Sequence, residues 1–189
     1  MKRMTLAAAL LAGTFSFAAY AAETGPEEMQ PNATSPAGEA VQDAQAATEL
    51  TTEGYANAAT IGNLYEIEAA NIAWERSTNE DVKAFAKMLI ADHTASNSKL
   101  AVLIGQAEGE APGSLDDAHQ KMIDELNAAE DANFDSVYLA QQLSAHEASL
   151  ALHENYAASG VDEPFKTFAA EAAKTVATHI ERLKSLKTA

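Results

Sequence analysis

Imidazoles recur in the apolar stripes of a chain that otherwise reads as alanine-rich helix. His93 falls in a stripe with Leu89, Ser96, Leu100 and Leu103, and His146 and His153 in one with Leu139, Leu143, Leu150 and Ala157. His179 falls in a third stripe, with Phe165, Phe168, Ala172, Val176, Leu183 and Leu186. Steps of three and four residues put each set on one helix face. A histidine that faces a core needs hydrogen-bond or metal partners for its ring nitrogens, so these positions are where chemistry is to be sought.

A carboxylate is available on the preceding helix, at Glu66 or Glu68. Glu66 follows the small residues Ala59, Gly62, Ala69 and Ala73, whereas Glu68 lines up with Ile61, Leu64 and Ile72. The two are about 200° apart around the helix and cannot both point inward; periodicity does not choose between them. Axial height does. Counted from the turns near Thr78 and Val161, which an up-down-up-down topology puts at one end, Glu66, His93, His146 and His179 fall within about 9 Å of one another. That layer can converge on a divalent transition metal such as zinc, iron or copper, with Glu66, His93, His146 and His179 as its ligands. It can equally close on itself as a hydrogen-bonded or pH-sensitive network, with Glu66 pairing one imidazole. Asp92, Glu147 and Glu181 lie next to the seams and could at most act behind the ligands. His153 reads as a seam-edge residue without a partner, and His119, among Asp116, Asp117 and Gln120, as an exposed one.

The elements that must position these groups are helices. The first long helix is expected over about 51–76 and the second over about 80–108, with Ser77, Thr78 and Asn79 as candidate caps and "GEAPGS" (109–114) as the stop. "LDDAHQKMIDELNAA" (115–129) reads as a short extra helix before a third long one over about 133–159. Gly160 ends that helix, Asp162 caps the fourth, and Pro164 sits in its first turn, where a missing N–H costs nothing. The expected fold is all-α: an antiparallel up-down-up-down four-helix bundle. Trp74 is expected to pack at the bundle end.

Residues 1–21 have the form of a signal peptide: Lys2 and Arg3, an apolar run from Leu6 to Phe17, then Ala19-Tyr20-Ala21. Residues 22–48, rich in Pro, Ala, Ser, Glu and Gln, read as a disordered leader, and 49–189 as the folded domain. The Asn32-Ala33-Thr34 sequon says little behind a bacterial-type export signal. The expected location is periplasmic or secreted, with the leader available for peripheral attachment to the outer membrane. No stretch reaches the roughly 20 apolar residues of a transmembrane helix. Without cysteine there is no disulfide, thiolate metal site or cysteine nucleophile. Loss of Lys2 and Arg3 leaves 10 basic residues against 28 acidic ones, a net charge of −18. Nucleic acid and anionic lipid are therefore unsuitable partners; the acidity serves equally as a solubility device, and an envelope protein is one candidate partner.

No phosphate loop, Gly-x-Ser-x-Gly elbow or His-Glu-x-x-His helix is present, so no catalytic residue is assigned. Asp135, in a first turn, suits the helix dipole, and Tyr138 suits a core.

The segments "YEIEAANIA" (65–73), "VKAFAKMLIADHTASNSKL" (82–100), "FDSVYLAQQLSAHE" (134–147) and "FKTFAAEAAKTVATHIERL" (165–183) together resemble a family of exported, ferritin-like bacterial domains, domain of unknown function 4142, often labelled outer-membrane proteins. The resemblance covers about 57–186. It implies a ferritin-like four-helix bundle with polar positions at Glu66, Asp92, His93, Asp135, Tyr138, His146 and His179, and it brings no activity. "KTVATH" stands where the family often has a Leu-Pro pair, so the fourth helix is expected to be straighter here. Ferritin-type di-iron chemistry needs Glu-x-x-His on two helices, and Ile90, Leu143 and Val176 occupy the positions three before the seam histidines. The outer-membrane label does not mean a spanning protein, since no β-barrel pattern is present.

Overall fold

A computed structural model describes residues 50–187. The expected signal peptide (1–21) and the whole expected leader (22–48) fall outside the described residues. Five helices follow one another: α1 (Thr52–Arg76), α2 (Glu80–Gln106), α3 (Asp117–Ala128), α4 (Phe134–Ser159) and α5 (Glu163–Lys187). No β-strand occurs among the described residues.

The helix ends follow side-chain chemistry. Thr51 accepts a hydrogen bond from the Gly54 amide at the start of α1, and Asn79 accepts from Asp81 and Val82 at the start of α2. Of the three candidate caps between these helices, Asn79 is thus the one used; Ser77 closes α1 through its own amide to the Ala73 carbonyl. Asp116 caps α3, and Asp162 accepts from the Phe165 amide at the start of α5. Each cap satisfies a backbone donor that the first helical turn leaves open. At the end of α2, Glu108 takes a left-handed conformation with φ 57°, and the Gly109 amide reaches back to the Ile104 carbonyl at 2.9 Å.

α1 packs on α2 and α4, and α5 packs on α4 and α2. The short α3 lies against α1 and α4. Arg76, at the end of α1, secures it by donating to the carbonyls of Leu126, Asn127 and Ala129 and to the Asp131 carboxylate, while its guanidinium lies over the Phe134 ring. A planar fork with several donors suits that task, which lysine could not duplicate.

Two apolar clusters make up the core. One gathers Tyr65, Ala69, Ala73, Phe85, Leu89, Ile123, Leu126, Phe134, Tyr138 and Leu183. The other gathers Tyr55, Ala59, Leu100, Ile104, Tyr156, Phe165 and Phe168. On α1 and α2 the polar residues Asn63 and His93 fall in sequence between the members of the two clusters, so a polar layer interrupts the apolar core.

Some stripes are rotated from the expected ones. On α4 the buried line is Tyr138, Leu139, Gln142, His146, His153 and Tyr156, so Leu139, His146 and His153 of the expected stripe are inward while Leu143 and Leu150 are only half-buried. On α2, Ile104 is buried and Leu103 half-buried. Trp74 is 44% exposed rather than packed at a bundle end, with the ammonium groups of Lys83 and Lys87 over its ring. The amphipathic lysine stems shield part of that indole from water. No helix of the described residues is long and apolar enough to cross a membrane.

Candidate metal centre

α2, α4 and α5 each contribute one buried imidazole to the polar layer, from His93, His146 and His179. One ring nitrogen from each lies within 4.8 Å of the others, an arrangement that can hold a metal ion. The rings meet at centroid separations of 5.3–5.6 Å.

Each ring is turned by a partner on its other side. His93 Nδ1 donates to Asn63 Oδ1 at 2.9 Å, and the Asn63 amide nitrogen in turn donates to Ser96 Oγ, which fixes the amide's orientation. His146 Nδ1 donates to the Gln142 carbonyl at 2.9 Å and lies 3.3 Å from Glu66 Oε1. His179 Nε2 faces Asp92 Oδ2 at 3.0 Å. A carbonyl, amide oxygen or carboxylate on one imidazole nitrogen fixes the tautomer and leaves the opposite nitrogen with a free lone pair. The nitrogens so left are His93 Nε2, His146 Nε2 and His179 Nδ1.

Two of those lone pairs face each other, His146 Nε2 and His179 Nδ1 being 3.3 Å apart. Two unprotonated nitrogens at that distance repel, so the position between them calls for a proton or another cation. His93 Nε2 is buried and has no hydrogen-bond partner among the described residues; the same holds for Glu66 Oε2. An orphaned buried polar atom costs about 1–3 kcal/mol, which a bound ion or ordered water removes.

The electrostatics sort the three rings. Burial pulls His93 down to about 4, against the opposing pull of Glu66, so its ring is neutral near pH 7. Burial likewise lowers His179, offset only in part by the hydrogen bond to Asp92. Burial also acts to lower His146, but the Glu66 carboxylate outweighs it and holds that ring above its ordinary value. On Glu66 itself burial pushes upward, and the charge and hydrogen bond of His146 prevail, keeping the carboxyl below its usual range.

The structure thus brings His93, His146 and His179 together. Glu66 is buried beside His146 Nδ1, on the back of that ring, while Glu68 is exposed. Asp92 stands behind His179. Tyr138 is fully buried, and after burial the Glu66 charge helps to raise its phenol well above the ordinary value; its hydroxyl and Asp135 Oδ1 have no partner among the described residues. Asn63 and Gln142 were not legible as site residues. Their spacing holds a signal, because Asn63 is three residues before Glu66 and Gln142 four before His146, but an amide in an alanine-rich helix is usually solvated.

Two other histidines differ from expectation. His153 is 4% exposed and meets the Tyr55 hydroxyl at 2.8 Å through Nδ1; Tyr55 stacks on Tyr156 with ring centroids 4.0 Å apart. Tyr55 lies on another helix, so a lone seam sequence could not reveal it as the partner. His119, held by Asp116, is half-buried against the Tyr65 ring at 5.3 Å.

Two cavities approach the layer. One of about 180 Å³ is lined by Asp92, His93, Ser96, Lys99, Thr175 and His179 among others, between α2 and α5. The other, of about 290 Å³, is bordered by Gly62, Tyr65, Glu66, His93, His119 and Ser149.

These features define an all-helical protein with a buried cluster of three histidines. The chain belongs to the family described as "Domain of unknown function (DUF4142)", whose profile matches residues 37–186. No curated protein and no solved structure matches it.

Proposed function

We propose that this protein holds one divalent transition-metal ion in the bacterial envelope, bound by His93, His146 and His179. The observation that carries the reading is the convergence of three imidazole nitrogens within 4.8 Å, each with a fixing partner on the opposite nitrogen. Neutral imidazole suits zinc, copper and iron, and a carboxylate behind a ligating histidine strengthens and orients it. In this reading Glu66 serves His146 and Asp92 serves His179, so Glu66 acts as an orienting group and not as the fourth ligand. Tyr138, whose phenol feels the Glu66 charge, and Asp135 have structural roles in this reading. The scaffold is an antiparallel up-down-up-down, ferritin-like four-helix bundle, in which each helix brings one face to the layer. Export rests on the signal-like residues 1–21, and attachment to an envelope partner on the leader.

A second reading has a specific observation behind it. A proton on His146 Nε2 would donate to His179 Nδ1, and His179 to Asp92, closing a network across 3.3 and 3.0 Å. That network makes the protein a structural or interaction module whose histidines set helix register. It leaves His93 Nε2 without a partner among the described residues, which a metal would supply, and this is why the metal reading is preferred.

Calorimetric titration of the full chain with Zn²⁺ and Cu²⁺ separates the two. The metal reading expects one ion per chain and a loss of at least about 100-fold in affinity in each of His93→Ala, His146→Ala and His179→Ala. Weak, substoichiometric binding that these substitutions leave unchanged would establish the network instead.

A further inference from the structure

We infer that the centre is open: beyond three histidines, the ion takes a small neutral molecule from outside, water in its resting form, through the cavity between α2 and α5. The inference rests on the metal reading above and says what that metal can bind.

The donors around the three rings support it. Three imidazoles leave a tetrahedral ion one ligand short. Asn63 lies on His93, Glu66 Oε1 on His146 and Asp92 on His179, each on the far side of its ring from the nitrogen that faces the cluster, while Glu66 Oε2 and the Gln142 amide have no partner among the described residues. No sulfur ligand from cysteine exists. The cavity of about 180 Å³ borders two of the three imidazoles, His93 and His179, and the Ser96 hydroxyl, which accepts from Asn63, lines it as a hydrogen-bonding group. The cavity on the α1 side borders only one of them, His93. Three protein ligands with a fourth position facing a cavity is the pattern of a reactive centre, not a closed structural one.

Charge selects the ligand class. A dication beside the carboxylates of Glu66 and Asp92 is already compensated, and Lys99 at the mouth is paired with Glu171 at 3.6 Å. An added anion would then be an uncompensated buried charge, which is costly, whereas a neutral donor carries no such penalty.

The test uses the full chain loaded with Cu²⁺. Solvent-proton relaxation should be enhanced above that of the metal-free protein, reporting an exchangeable water on the metal. Imidazole should displace that water at a concentration about tenfold lower than azide does, at a pH where imidazole is neutral. Thr175→Trp, at an exposed position on the mouth, should abolish most of the enhancement while leaving Cu²⁺ affinity unchanged. Bound Cu²⁺ without enhancement, azide displacing more readily than imidazole, or an enhancement untouched by Thr175→Trp would each overturn the inference and leave the three-histidine site standing. Failure to bind Cu²⁺ at all would overturn both.

Discussion

His153 shows how far a single residue's setting can depart from its sequence. Its ring is buried among apolar groups and bonded to Tyr55, and burial holds it down to about 4 from an ordinary 6.5. The unfolded chain therefore takes up a proton between those values that the folded chain refuses. Protons bound by the unfolded state favour unfolding, so this contribution to stability is complete above pH 6.5 and is lost as pH falls toward 4. The loss from this one ring is about 3 kcal/mol. Chemical denaturation of His153→Phe from pH 7 to pH 4 should show a shallower loss of stability than the parent; parallel pH curves would refute the assignment. His93 is lowered in the same direction, so the variant's curve should flatten without becoming level. Neither shift was visible in the sequence, because both depend on side chains brought in from other helices.

Among the elements, boundaries were the legible part and facing was not. Ser, Thr, Asn and Asp at the breaks, with Gly160 and Pro164, mark the helices to within a few residues, since they act through local hydrogen bonds. The inward face of α4 could not be chosen that way. Leu139, Leu143 and Leu150 form one plausible stripe and Tyr138, Gln142 and Tyr156 another, and His146 belongs to both. The second prevails because its polar groups reach the layer and its aromatic rings fill the two apolar clusters. At the end of α2 the local rule is broken: Glu108 holds φ 57°, a conformation that glycine adopts without the clash a side chain brings. Glu108→Gly should raise stability by about 1 kcal/mol in urea titration. An unchanged or lower midpoint would mean that α2 ends otherwise in solution.

Across the whole molecule, acidity and the buried layer place separate demands on the fold. A formal net charge of −16 on 189 residues makes compaction work against self-repulsion, and the described ion pairs, many between exposed groups, relieve little of it. Raising NaCl from about 0.01 M to about 1 M shrinks the screening length from about 30 Å to about 3 Å. The melting temperature should rise by about 3 °C or more across that range, and a fall would mean that attractive pairs dominate. The buried layer sets a different condition. It interrupts the core between two apolar clusters, and in the proposed function a cation shared by His93, His146 and His179 completes it. Those three were legible in the sequence because a periodic stripe and axial height suffice to put them in one layer. The position of Glu66 beside His146 Nδ1 was not, because ring orientation depends on partners brought in by the fold. X-ray absorption of the Zn²⁺-loaded chain tests this most directly. The account predicts three imidazole nitrogens at about 2.0–2.1 Å and one additional light ligand. A shell with one or no imidazole, or one built mainly from carboxylate oxygens, would contradict it.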